Sequence, residues 1–207
     1  MKVIKLPSPA KNTNFTQMKH LLVFKNYDMT EHLRGRGIDP DKTRVITDEE
    51  SGDSFFFLYN LSGEMVGYQK YNPNYPKINK VPQLAKYFTW VTEEGRGKKI
   101  AVWGLESLEF HYEYVFIVEG IFDAARIQEA GHPAIAVLCN DPSDSLTEWL
   151  FTLPQKKIVI YDNDKAGRKL RRVGDFSYTV PTGKDVNDLT PEEAKNFLMD
   201  CLSESGF

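Results

Sequence analysis

The chain has 207 residues, 41% of them hydrophobic, enough for one large domain or two small ones sharing an interface, and disorder as the default state is excluded. Its 26 basic and 29 acidic side chains leave a net charge of -3, so any contact with nucleic acid must be a local patch and not a bulk polycation. Cys139 and Cys201 lie far apart and the four histidines form no ligand pair, which excludes a zinc ribbon or finger and a disulfide scaffold and points to a reducing compartment. The opening MKVIKLPSPAKNTNF lacks the apolar run of a signal peptide, and no window is long enough to span a bilayer, so a cytoplasmic protein without a membrane partner is expected.

Along the chain, Pro7 and Pro9 predict an extended arm, followed by a short helix over 15–24. Thr30 reads as the N-cap of a helix over 31–36 that Gly37 and Pro40 stop. Two β-rich runs, 54–59 and 64–71, flank Asn60-Leu61-Ser62-Gly63 and predict a hairpin. Residues 72–83, with Pro73, Pro76 and Pro82, predict a surface loop. Short strands are expected over 86–91 and 99–103, around a turn at 93–98, and alternation marks Phe88 and Trp90 as core candidates. From residue 113 the pattern becomes regular. Apolar runs at 114–118, 133–138, 156–161 and 176–180 alternate with helical segments at 121–130, 143–151 and 165–173, and a last helix, 191–202, opens with Thr190 as cap and Pro191 at its first position. Strands alternating with helices mean a parallel sheet with right-handed crossovers. The expected organisation is therefore α/β, with a smaller mixed α+β subdomain over 1–112 and a parallel-sheet domain over 113–207. Charge follows the same division: residues 1–110 carry 16 basic and 13 acidic side chains, residues 111–207 carry 10 and 16.

Ligands of open parallel sheets bind beyond the carboxyl ends of the strands, and there this chain places acids. The run 114–118 leads into Glu119, with Asp123 four residues on; 156–161 leads into Asp162-Asn163-Asp164; the fourth run precedes Asp185 and Asp188. Each group of acids taken singly reads more readily as helix-end, capping-turn or surface-loop residues than as metal ligands. Three strand ends aiming like charges at one crevice favour hard divalent cations, Mg²⁺ or Mn²⁺, and phosphoryl-transfer chemistry.

The segments Val118-Glu119-Gly120-Ile121-Phe122-Asp123, Tyr161-Asp162-Asn163-Asp164-Lys165-Ala166-Gly167-Arg168 and Gly183-Lys184-Asp185-Val186-Asn187-Asp188 resemble the Glu-Gly-x-x-Asp, Asp-x-Asp-x-Ala-Gly and Asp-x-x-Asp elements of Toprim domains. Upstream, Glu31-His32-Leu33-Arg34-Gly35-Arg36-Gly37-Ile38, Val66-Gly67-Tyr68, Lys86-Tyr87-Phe88 and Val102-Trp103-Gly104-Leu105 resemble, in order, the part of bacterial and phage DNA primase cores that precedes Toprim. The resemblance covers residue 28 to the end. It departs at Gln69-Lys70-Tyr71, where the family usually has an arginine, and at Cys139-Asn140-Asp141, where a short Gly-containing turn is usual; with two distant cysteines, a core lacking the family's zinc-binding domain is expected.

The resemblance implies a nucleotidyltransferase that makes short RNA from ribonucleoside triphosphates on single-stranded DNA, with a replicative helicase as a further partner and host cytoplasm as the location of a phage-encoded version. It implies Glu119, Asp162 and Asp164 as catalytic and metal-binding, with Asp123, Asp185 and Asp188 supplementing the metal site. Because acids repel a polyanion, cations are needed beside them, and Lys86, Lys165, Arg168, Lys184 and Lys70 are the expected nucleotide or nucleic-acid contacts. A Toprim nuclease that activates water with the same acids is the alternative, and a non-catalytic, primase-derived binding module a third reading.

Overall fold

The computed structural model describes residues 28–60, 62–92, 100–108, 111–165, 167–180 and 183–207. The expected arm, the helix over 15–24 and the turn at 93–98 lie outside the described residues. Two four-stranded sheets form the frame, one antiparallel and one parallel.

The first element, α1 (Met29–Gly35), begins two residues earlier than the sequence pattern implies, because Asp28 accepts from the Glu31 backbone N–H at 3.1 Å and so acts as the cap in place of Thr30. Met29 and Leu33, one turn apart, are its buried stripe. Gly37 then takes φ of +81°, where a β-carbon would also crowd the Arg126 backbone at 3.2 Å, so the chain leaves the helix at a position only glycine tolerates.

The antiparallel sheet runs β1 (Val45–Asp48), β2 (Asp53–Tyr59), β3 (Met65–Tyr71) and β4 (Tyr87–Val91), in that spatial order. The expected hairpin joins β2 to β3, with the Asn60 side-chain oxygen accepting from Ser62 and Glu64 N–H at 3.0 Å. In β2 the alternate residues Ser54, Phe56 and Leu58 are buried, and Phe56 meets Phe122 of the other half edge-on at 5.6 Å. The expected core role of Phe88 and Trp90 is corrected by one register step: Tyr87 and Val91 pack on the main core, whereas Trp90 pairs with Tyr68 and stacks on it at 5.6 Å on the opposite face. β1 had no counterpart in the sequence reading.

Segment 102–103 staples the sheets together. Val102 exchanges backbone hydrogen bonds with Tyr59 of the antiparallel sheet, both 3.0 Å, and Trp103 does the same with Ala136 of the parallel sheet at 3.1 and 3.0 Å. These two bridges stand where a strand over 99–103 was expected.

The parallel sheet comprises β5 (Tyr114–Val118), β6 (Ala134–Ala136), β7 (Lys156–Tyr161) and β8 (Phe176–Thr179), in the order β6-β5-β7-β8. Helices α2 (Ile121–Glu129), α3 (Asp144–Thr152) and α4 (Pro191–Ser205) accompany it. Val115–Val118 and Lys157–Ile160 are buried throughout, as strands covered on both faces require. Ser143 caps α3, and Thr190 with Glu193 forms a reciprocal capping box on α4. The basic segment after β7 is a 3-10 helix, Gly167–Val173, and not the α-helix its composition suggests. A β-carbon at Gly167 would strike the Asp162 carbonyl, and the Asp164 side chain accepts the Gly167 N–H at 2.6 Å, so the turn winds tighter than α.

One cluster of buried side chains runs across the expected boundary at 112/113. It includes Leu33, Ile38, Phe56, Leu58 and Tyr71 from the first half and Phe116, Ile121, Phe122, Ile158 and Leu198 from the second. Each such side chain contributes about 1.5–3 kcal/mol on burial, so the two halves hold each other in place and fix the cleft between them. Among the described residues no helix is long and apolar enough to cross a membrane.

Candidate active site

From β5 the chain goes outward to β6 and then returns past β5 to β7 and β8. The direction of winding thus reverses between β5 and β7, and a crevice opens at the carboxyl ends of such a pair. Glu119 follows β5 and Asp162 follows β7 directly, so both stand at that crevice. Asp123 adds a carboxylate from the first turn of α2, and Asp185 one from the loop after β8. Glu119, Asp123, Asp162 and Asp185 line one cleft of about 270 Å³ together with Arg36, Lys77 and Tyr87.

Electrostatics show how crowded the acids are. Burial, with the charges of Asp162 and Asp164 added, raises the pKa of Glu119. Burial, Asp185 and Asp164 raise that of Asp162, and burial and Asp188 that of Asp185. Asp123 is pushed from 3.8 to about 7 by burial and by Asp185, even though the Asn187 N–H donates to its Oδ1 at 3.1 Å and favours the charged form.

Some of these acids also shape the backbone. Asp164 caps the 3-10 helix, and Asp185 and Asp188 form a reciprocal capping box in which Asp188 N–H donates to Asp185 Oδ1 at 2.8 Å and Asp185 N–H to Asp188 Oδ2 at 3.2 Å. The turn-residue reading describes all three; Asp185 also lines the cleft, whereas Asp164 and Asp188 do not line it and act through their charges on Glu119, Asp162 and Asp185. At the rim, Leu138 holds φ of +58° with its N–H on the Glu119 carbonyl at 2.9 Å, a left-handed conformation that glycine adopts at less cost. This is the place where the family's glycine turn was expected to differ. Cys139 beside it is pushed up to about 11, chiefly by burial, which suits an inert thiol.

A divalent cation fits this donor set in a particular way. Among the described residues no three acidic, His or Cys side chains form a ready-made cage. Mg²⁺ nevertheless binds through one or two carboxylates and completes its shell with water and substrate phosphates, and carboxylates whose charged forms repel one another are the groups a cation stabilises most. The oxygen-only donors along the cleft suit that mode.

The cations divide into those that face the cleft and those that do not. Lys86 lies beside it, its pKa lowered by burial and then by the charge of Arg36, while Asp185 and Asp188 attract it. Lys165 and Arg168 are exposed just beyond Asp164. Lys184 is exposed and 4.0 Å from Glu193. Lys70 requires correction: it is buried within the antiparallel sheet, 3.5 Å from Asp53, bonded to the Gln83 carbonyl and 4.6 Å from the Tyr75 ring centroid, so it holds the loop and does not face the cleft. The proline-rich loop is tied down as well, by Asn72 donating to Ser51 O at 2.9 Å and Asp53 Oδ1 at 2.7 Å and by Lys86 N–H donating to Pro76 O at 2.8 Å.

Three residues of the site were not singled out from sequence. Lys77, from that loop, lines the cleft and acts on Glu119 and Asp162; nothing distinguishes it from the neighbouring lysines in one dimension. Arg36 reaches Tyr71 and Tyr87 hydroxyls at 3.3 and 3.2 Å and lies 3.7 Å from the Phe122 ring centroid. Its signal was membership of the 31–38 motif. Asn187 bonds to Arg36 from 151 positions away, a pairing only the fold reveals.

A parallel sheet with acids at its winding reversal, joined to a four-stranded antiparallel sheet with cations near those acids, defines the class: the chain has the fold of primase catalytic cores with a Toprim domain. The solved structures it resembles are bacterial and phage primases. Against the Aquifex aeolicus primase, zinc-binding and RNA polymerase domains, the TM-score is 0.65 at 19% identity, covering 91% of this chain and 59% of that one. Against the E. coli primase catalytic core it is 0.57 at 19% identity, covering 84% and 64%. Against the primase fragment of the bacteriophage T7 primase-helicase protein it is 0.54 at 15% identity, covering 83% and 70%. The DnaG catalytic domain bound to single-stranded DNA matches with a TM-score of 0.57 at 19% identity, covering 84% and 60%, so the chain spans about 60% of that neighbour's length. No family model and no curated protein matches the sequence.

Proposed function

We propose that the protein is a primase-type nucleotidyltransferase that makes short RNA primers from ribonucleoside triphosphates on single-stranded DNA. The observation that carries this is the group of four carboxylates with raised pKa values, Glu119, Asp123, Asp162 and Asp185, sharing one cleft with Arg36 and Lys77, with Lys86 near enough to feel Asp185 and Asp188. Glu119, Asp162 and Asp164 would hold Mg²⁺ or Mn²⁺, with Asp123, Asp185 and Asp188 supplementing them. Such an ion, when bound, polarises phosphate oxygens and lowers the pKa of an attacking hydroxyl.

The protein's own groups do the rest. Lys77 and Lys86 offset the negative field of the acids where a triphosphate enters, and Lys165 and Arg168 offer exposed cations beside Asp164. Lys184 can reach the same mouth once it leaves Glu193. The basic N-terminal subdomain, residues 1–112, guides template and nucleotide, and the Toprim domain, residues 113–207, holds the metal. A replicative helicase is the partner this reading favours, supported by the likeness to a fragment of a primase-helicase protein. The site of action would be wherever the genome is replicated, the cytoplasm of a bacterial cell or of a phage's host.

The test is template-dependent incorporation of labelled ribonucleotides by the purified protein, compared with Glu119→Gln and Asp162→Asn. Each substitution keeps the volume and removes the charge, and loss of at least 100-fold in rate is the expected result. Full activity in either variant would overturn the assignment.

A further inference from the structure

The turn that carries Asp185 and Asp188 needs no outside help to form, because its capping box closes it internally. Asn187, in the middle of it, directs all of its side-chain bonds elsewhere. Its Nδ2 donates to the Arg36 carbonyl at 2.9 Å and to the Phe122 carbonyl at 3.2 Å, and its Oδ1 accepts from Arg36 Nε at 2.6 Å. Both amide hydrogens and the acceptor are thus used. Its backbone N–H meets Asp123 Oδ1 at 3.1 Å.

The two carbonyls belong to the residue that ends α1 and to the first turn of α2, so one amide joins three elements distant in sequence. Arg36 carries the link further, through its stacking on Phe122 and its bonds to Tyr71 and Tyr87. The acidic wall of the cleft and its cationic wall therefore meet at Asn187.

We propose that Asn187 is a positioning residue that fixes the Asp185–Asp188 turn and Asp123 against Arg36, so that the acids and the cations of the cleft keep one spacing. Its consequence for metal binding rests on the reading of the cleft given above; the mechanical link does not. Asn187→Ala removes all three side-chain bonds. Asn187→Asp keeps the volume and the acceptor for Arg36 but turns an oxygen toward two carbonyls, so it separates lost bonding from lost packing.

The experiment is amide hydrogen exchange on the full chain without divalent ions, followed by Mn²⁺ titration read by paramagnetic resonance, with Ser143→Ala as a remote substitution that weakens only the cap of α3. Both Asn187 variants should speed exchange at least tenfold in 184–189 and also in 34–38, while Ser143→Ala leaves both segments unchanged. Asn187→Ala should weaken Mn²⁺ binding tenfold or more, as the loss of a group that orients ligands does. Unaltered exchange at 34–38 in either Asn187 variant would overturn the link, and Mn²⁺ affinity equal to that of the parent would overturn the positioning role. Coupled exchange in a parent protein that binds no Mn²⁺ would support the link and overturn the metal reading instead.

Discussion

Replacing Asp123 with asparagine should stabilise the folded protein while impairing the site. Asp123 ionises at 3.8 in the unfolded reference and at about 7 when folded. The folded state therefore holds this proton more tightly, and the stabilisation from the neutral acid is complete below pH 3.8 and lost as pH rises through 7. The rise from 3.8 to about 7 sets a ceiling of about 4 kcal/mol. Relaxation and water at the cleft side, together with the shared titration with Asp185, reduce the usable part to about 1–2 kcal/mol. Asparagine keeps an oxygen for the Asn187 N–H and carries no charge, so the variant should exceed the parent by that amount at pH 8, by less than half of it at pH 5, and match it only below pH 3.8. Urea titrations at pH 8 and pH 5 without divalent ions measure this. Adding Mg²⁺ at pH 8 should narrow the gap, since the parent gains more from a cation. A variant less stable than the parent at pH 8, or an advantage that does not shrink toward pH 5, would refute the reasoning.

Two further outcomes follow from the packing. Lys70→Met should cost about 2–4 kcal/mol, because Asp53 is left in a mostly buried position without its cation, and should change single-stranded DNA affinity less than twofold; thermal melts and a fluorescence titration read the two effects. Gly167→Ala should destabilise by about 1–3 kcal/mol through the clash with the Asp162 backbone and slow any metal-dependent reaction, since that carbonyl belongs to the first of the 162–164 acids; a melt indistinguishable from the parent would show that the turn has room to give.

The parallel sheet was legible because each strand is a continuous apolar run and two of its helices, α3 and α4, carry their own side-chain caps, so local rules and tertiary burial agree there. The acids were legible for a related reason: Glu119 and Asp162 come directly after buried strands, and a charge in that position has nowhere to go but the crevice at the strands' carboxyl ends. Where the reading failed, a long-range contact had the decisive say. Lys70, at the end of an expected β-run, reads as a nucleic-acid contact beside the lysine-bearing loop that follows, but its alternation places it against Asp53, across the sheet in β2. Phe88 and Trp90 were assigned to the wrong face because a five-residue strand of three aromatics and one valine is apolar on both sides, and only pairing with Tyr68 and Lys70 settles the register. The 3-10 helix after Asp164 is basic and unbroken in composition, and the close approach of Gly167 to Asp162 is what tightens it. Arg36 and Asn187 carry no local sign of their partnership.

The most direct test of the central claim is a single gel. Purified protein is given unlabelled single-stranded DNA with labelled ribonucleotides, and in parallel labelled DNA, in Mg²⁺ and in Mn²⁺, beside Asp162→Asn. Short RNA that depends on template and metal and disappears in the variant is the result the account predicts; metal-dependent shortening of the DNA with no RNA would contradict it and assign the same carboxylates to a nuclease.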